Sequence, residues 1–281
     1  MTKNVRKRRI KNLLALSLCS LCALFGLTIL GWILFDVAVE GWKALSPKLF
    51  LKDPAPPGVM GGGGLKSAFL GQGLMTLTAA VMGIPIGILG GTFLAEYGRN
   101  LKVSAIVANL SDLAASTPSI VIGAFVHALL VAPFGGFSGW AGSVALAIII
   151  IPLVLRTTDE TLRLVPWNLR EAALSLGASY HQVIWSIIYR SSLSGLLTGV
   201  VLALARAAGE TAPLLFTSFN NNSFNWSLSS PTASLTVSIY QYAASPYESW
   251  IKLAWAAALV VTVLNLGLNL TARLFLKSRK Y

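Results

Sequence analysis

The residues best placed to do chemistry are Arg206 and Glu210, in the stretch Arg206-Ala-Ala-Gly-Glu210-Thr-Ala-Pro213. They stand inside an apolar run from Leu193 to Phe216, where water is scarce. A charge at the centre of a membrane helix costs about 2.5–3.5 kcal/mol on insertion scales, so an arginine there is a functional candidate by default. Four residues apart on a helix, the two side chains share one face and can pair. Pro213 clashes with the carbonyl of Gly209, which predicts a kink between the charges. A kink frees backbone polar groups, tolerated at membrane depth only where protein or a watery cavity receives them. Two readings follow: an ion pair that only joins helices, or a contact on a solute pathway. No His, Cys, Asp or Glu cluster has ligand or nucleophile spacing, which argues against a membrane enzyme.

The rest of the chain must hold that pair in a bilayer. Of 281 residues, 55% are hydrophobic and 11% charged. Soluble domains carry about 25% charged residues, so the sequence describes an all-α integral membrane protein. Six runs are candidate spans: Leu13–Phe35, Leu70–Ala95, Thr117–Val131, Gly139–Leu155, Leu193–Phe216 and Ile251–Leu276. The third and fourth fall short of the roughly 20 residues a crossing needs. Residues 1–12 form a basic N-terminus and 13–35 an anchor helix, too long for a signal-peptide core. Residues 36–66 make an outer loop, 67–276 a core of five spans, and 277–281 a tail. Cys19 and Cys22 lie within the anchor and read as packing residues.

The net charge of +12 is not spread as a nucleic-acid surface would be. It crowds the two termini and alternate loops. With the N-terminus in the cytoplasm, sixteen Lys and Arg fall on the inner side and five on the outer, the bias that sets orientation. Both termini are therefore expected inside, in a multi-pass protein surrounded by lipid. Gly61-Gly-Gly-Gly64-Leu-Lys66-Ser67 is no phosphate-cradling P-loop, because Leu65 separates the last glycine from Lys66 and no strand precedes it. Ser116-Thr117-Pro118 reads as a helix start, with Thr117 as cap and Pro118 in the first position. His127 reads as a buried, hydrogen-bonded residue.

The longest inner loop carries Asn168-Leu-Arg170-Glu171-Ala172-Ala173-Leu-Ser-Leu-Gly177. Asn168 can cap a short helix, with Glu171 reaching back as in a capping box. Gly177 suits a left-handed stop. A helix of about 12 Å with Leu169, Ala172, Ala173 and Leu176 on one side suits docking into a groove, or is merely a solvated loop.

Several of these stretches resemble a known family. Glu171-Ala-Ala, Gly177 and then Ile187 are similar to the EAA loop of ABC importer permeases, taken here as 168–190. The family continues to Leu-Pro, where this chain has Tyr189-Arg190. The Arg206–Pro213 stretch, Leu113-Ala-Ala-Ser-Thr-Pro-Ser-Ile-Val-Ile-Gly123, Ile151-Pro-Leu-Val-Leu-Arg156 and Tyr240-Gln-Tyr-Ala-Ala-Ser-Pro246 resemble phosphate ABC transporter permeases of the PstA type.

That resemblance implies a bacterial inner-membrane, type I ABC importer permease with six transmembrane helices and no catalysis of its own. It also implies a second permease (PstC type), an ATPase dimer (PstB type) that binds ATP and magnesium, and an outer phosphate-binding protein (PstS type). No cofactor is expected in this chain. Arg206, Glu210 and Arg156 are the expected phosphate contacts, and Arg170, Glu171, Ala172, Ala173 and Gly177 the expected ATPase contacts. Arg206 lies about 24 Å along its span from Arg190, in the outer half of the bilayer. The alternatives are a permease for sulfate or molybdate, or an ATP-independent channel or secondary transporter.

Overall fold

A computed structural model describes residues 3–57, 63–98 and 101–277, all helix or loop with no strand among them. Gly61 and Gly62 of the first outer loop, Arg99, and the tail with Arg279 and Lys280 lie outside the described residues. The long helices are α1 (Lys3–Ala44), α2 (Lys66–Tyr97), α5 (Gly139–Arg163), α7 (Tyr180–Ala208) and α10 (Glu248–Lys277). Between them lie α3 (Lys102–Ser116), α4 (Ser119–Val131), α6 (Trp167–Ser175), α8 (Ala212–Thr217) and α9 (Leu235–Ala243). Among the described residues, five helices are long and apolar enough to cross a membrane, or six if α3 and α4 count as one bent span.

The packing centre is the seam between α2 and α5. Met75 and Ala79 of α2 meet Leu146, Ile150 and Val154 of α5, and Ala203, Ala207, Leu214 and Val237 close the cluster. Gly83, Gly87 and Gly91 recur every four residues on the α2 face of this seam. A Cβ on Gly87 would lie 2.7 Å from Val154 Cβ, and one on Gly91 2.5 Å from the Leu155 carbonyl. Small residues at this spacing let membrane helices approach backbone to backbone. In contrast, α1 is exposed from Lys7 to Asp36, Cys19 and Cys22 included, and joins α10 near Gly41, beside Trp255 and Leu259.

Four boundaries depart from the sequence expectation. The third span, expected as Thr117–Val131, is the second arm of a pair bent by 102°. Pro118 forces Thr117 out of the helical region, to φ −68° and ψ 130°. Thr117 therefore ends α3, donating Oγ1 to the Leu113 carbonyl at 2.7 Å, and Pro118 takes the N-cap position of α4. The fourth span runs past Leu155 to Arg163. The fifth starts earlier, at Tyr180, and stops at Ala208 instead of continuing to Phe216. Gly209 caps it, and Pro213 sits in the first turn of α8, where a missing N–H costs nothing. The break thus falls between Arg206 and Glu210, as the proline predicts.

The fourth departure concerns α6. Pro166, extended at φ −58° and ψ 139°, occupies the N-cap position, so Asn168 and Glu171 form no capping box. The box belongs to the next helix: the Gln182 N–H donates to Ser179 Oγ and the Ser179 N–H to Gln182 Oε1. Gly177 does end the loop helix in the left-handed region, at φ +84°.

Candidate functional site

Two arginine–glutamate pairs mark two separate polar centres. The first is built at the break of α7. Arg206, on its last turn, approaches Glu210 with Nε 3.7 Å from Oε1, an ion pair too long for a hydrogen bond. The Arg206 side chain is 55% exposed and that of Glu210 15%. The Glu210 carbonyl, freed by the break, accepts from Thr236 Oγ1 of α9 at 2.8 Å. A small cavity of about 40 Å³ lies beside Arg206, bounded by Thr117, Ser119 and Ile122 at the start of α4 and by Ile149, Pro152 and Leu153 of α5. Arg206 therefore stands opposite the N-terminal turn of a helix, where backbone N–H groups lack intrahelical acceptors.

The partners of the break hold it in shape. α8 packs on α4 so closely that a Cβ on Gly123 would lie 2.6 Å from Pro213 Cα. His127 Nδ1 meets the Phe216 carbonyl at 2.8 Å, which gives the half-buried histidine a structural partner. Two broken helices thus meet backbone to backbone, with Arg206 beside the start of α4. Irregular backbone at membrane depth is found where it is buried in protein or lines a cavity.

Arg156 is not part of that centre. It lies one turn beyond Pro152 on α5, with Nη1 2.7 Å from Asp112 Oδ1 and Nε 3.2 Å from Glu160 Oε1. Its charge is already matched by two carboxylates, and it ties α3 to α5.

The second centre surrounds α6. Arg170, expected from the sequence to face an ATPase, instead points inward: its side chain is 4% exposed, and that of its partner Glu96 is fully buried. Arg170 Nη2 donates to Glu96 Oε1 at 2.6 Å and Nε to Oε2 at 3.1 Å, a bidentate fork. The remaining bonds of the guanidinium go to the Leu162 and Val165 carbonyls at the end of α5, at 3.0 and 2.6 Å. The Trp167 ring lies 5.2 Å from the guanidinium carbon. Tyr180 donates its hydroxyl to Glu96 Oε2 at 3.0 Å. Outward, α6 presents Glu171, Ala172, Leu169 and Leu176, the last 89% exposed, while Ala173 packs inward. The exposed side of α6 is therefore formed by Leu169, Glu171, Ala172 and Leu176, without Arg170.

Glu96, Tyr180 and Asp112 are the residues that sequence reasoning missed. Glu96 stood in view at the end of the second apolar run. Its partner is 74 residues away, and no spacing rule reaches that far.

The bundle, with a broken span at its polar centre and a short helix projecting from one end, has a fold seen in ABC transporters. Solved structures share this fold. The inward-facing MetNI methionine ABC transporter aligns with TM-score 0.60 at 17% identity, over 75% of this chain and 92% of that one. An amino acid ABC transporter crystallised with histidines aligns with TM-score 0.57 at 16% identity, over 75% and 91%.

The family described as "Binding-protein-dependent transport system inner membrane component" matches residues 83–281. The phosphate transport system permease protein PstA of Pasteurella multocida is 50% identical over 95% of both chains. That of Haemophilus influenzae is 48% identical over 97% of this chain and 96% of its own, and that of Mycobacterium leprae 34% over 96% and 90%. The chain belongs to the PstA permeases of the binding-protein-dependent transport family. It is thus a multi-pass inner-membrane subunit without catalysis of its own, in a transporter whose ATP hydrolysis falls to a partner.

Proposed function

We infer that this chain passes inorganic phosphate through the membrane as the permease subunit of an ATP-driven importer. Its relatives named for phosphate transport, up to 50% identical across nearly the full length, support the substrate class. The observation that carries the pathway is Arg206, half-exposed at a helix break and facing the first turn of α4 across a small cavity. A tetrahedral oxyanion there meets a planar guanidinium fork on one side and unpaired helix N–H groups on the other. Half-helix N-termini aimed at anionic substrates are a recurrent transporter device.

The looseness of the Arg206–Glu210 pair is useful chemically. A pair at 3.7 Å keeps Arg206 partly neutralised when the pathway is empty, yet yields to an incoming phosphate. Conduction needs sites weak enough to release their ion. Glu210 can also accept a hydrogen bond from the hydroxyl of hydrogen phosphate, a donor that sulfate lacks. Arg156, already paired twice, serves as a second station only when Asp112 and Glu160 give way.

The exposed side of α6, with Glu171, Ala172 and the Gly177 stop, is the dock for an ATPase dimer of PstB type, which holds ATP and magnesium. A PstC-type permease completes the pathway, and a PstS-type binding protein delivers phosphate from outside. Both termini of this chain lie in the cytoplasm in this arrangement. Reconstituted transporter carrying Arg206→Ala or Glu210→Gln is expected to lose phosphate uptake at least about tenfold, the scale of one hydrogen bond to a charged group. Wild-type uptake in both variants refutes the pathway. Competition by sulfate or molybdate equal to that of phosphate refutes the substrate.

A further inference from the structure

The helix that faces the ATPase is held by a residue from a different part of the chain. Glu96 lies in a π-helical turn of α2, Phe93–Tyr97, and α7 has a matching π-helical turn at Ile184–Ile188. Such turns interrupt the regular ladder and are frequent at functional sites. Polar bonds bracket this pair of turns. At one end, Thr92 Oγ1 and the Tyr189 hydroxyl are 2.8 Å apart. At the other, the Tyr180 hydroxyl donates to the Glu96 carbonyl at 3.1 Å and to its carboxylate at 3.0 Å. Between them, Arg163 of α5 donates Nη2 to the Leu94 carbonyl at 3.0 Å. Arg170 then joins Glu96 to the end of α5 through the four bonds described above.

Four elements, α2, α5, α6 and α7, therefore meet in one buried polar cluster. Nothing in the anion pathway uses it. A buried ion pair is weak grounds for stability, since well-packed apolar side chains do as well or better; its attested use is to select one arrangement over others. Here the selected quantity is the setting of α6 against α2. α2 in turn carries the glycine seam with α5, whose Ile149, Pro152 and Leu153 border the Arg206 cavity.

We propose that Glu96 is a positioning residue for transport, acting through Arg170 and Tyr180 to lock α6 to the end of α2. Movement of α6 is then delivered to α2 and the seam as one rigid displacement. The proposal rests on reading α6 as the ATPase dock.

The test uses the complete transporter in lipid vesicles with phosphate-loaded binding protein, measuring ATP hydrolysis and phosphate uptake together. A Leu176→Cys background reports docking by cross-linking to the ATPase. Glu96→Gln is expected to leave the cross-link and ATP hydrolysis in place while uptake per ATP falls about tenfold, within the range by which coupling networks are altered by mutation. Tyr180→Phe, which removes one hydroxyl, is expected to lower the same ratio about threefold, the scale of one hydrogen bond. Uptake per ATP unchanged in both variants, with the cross-link intact, overturns the lock and leaves the dock standing. Absence of the cross-link in the otherwise wild-type transporter overturns the dock, and the lock with it. Where Glu96→Gln does not assemble, Tyr180→Phe alone decides, because an unchanged ratio in it refutes the proposal.

Discussion

Two of the arginine–glutamate pairs among the described residues stand in opposite settings. Arg170 and Glu96 are 2.6 Å apart, buried, forked and bonded further to two carbonyls and a tyrosine. Arg206 and Glu210 are 3.7 Å apart with the arginine half in the open. The difference lies in what surrounds the charges. Around Arg170, α2 and the end of α5 supply acceptors that leave its charge nowhere else to go. Around Arg206, two helix breaks leave space beside a pair held only at 3.7 Å. The first arrangement suits holding and the second suits exchange, and the two sit in different parts of one fold.

The comparison breaks most easily at its tight member. Arg170→Ala leaves Glu96 buried without its counter-charge and is expected to destabilise the chain by about 3–5 kcal/mol. Thermal unfolding in detergent, or the amount of assembled complex in the membrane, reports the loss. A decrease below 1 kcal/mol would mean that water reaches Glu96 and that the two pairs are not different in kind.

Next in size is Gly177→Val. Gly177 adopts φ +84° at the end of α6, and a β-branched residue there is expected to cost about 1–3 kcal/mol. Because an added side chain at Gly177 meets nothing within 4 Å, the cost is backbone strain alone. ATPase cross-linking to α6 should weaken while the Arg206 centre is unaffected. Equal loss of anion contact would show that the two centres are not separable.

Arg206→Ala sharpens the contrast from the other side. An exposed, loose pair contributes about 0–1 kcal/mol, so the unfolding midpoint should barely move while uptake falls. A variant that unfolds as readily as Arg170→Ala would make Arg206 a structural brace. Smallest of all is Asp112→Asn. It removes one carboxylate from an exposed Arg156 that keeps Glu160, and a few tenths of a kcal/mol is expected. A measurable rise in uptake in this variant would identify Arg156 as a station that its carboxylates restrain.

Much of this arrangement was legible in local sequence. Apolar runs and charge placement specify a membrane chain, Pro118 marks the bend between α3 and α4, and Gly209 with Pro213 marks the break beside Arg206. Gly177 marks the end of α6. These are properties of single residues and their nearest neighbours, set by ring geometry, missing N–H groups and permitted φ. Boundaries were less legible, because a helix end depends on which neighbour satisfies its last carbonyls. The end of α5 is an example: apolarity ceases near Leu155, yet the helix continues to Arg163, where Arg170 donates to the Leu162 carbonyl.

What only the tertiary structure decided is the direction in which Arg170 points. An arginine beside the exposed Glu171 on a short inner helix reads as a surface residue, because solvation normally keeps guanidinium groups outside. Glu96, 74 residues earlier, reverses that preference by offering a fork, and α5 adds two carbonyls that need donors. By itself the sequence determined that Arg206 and Glu210 are close, since only three residues separate them and the turn that ends α7 keeps them within reach. It did not determine that Arg170 and Glu96 are close, because that contact exists only after α2, α5 and α7 have packed.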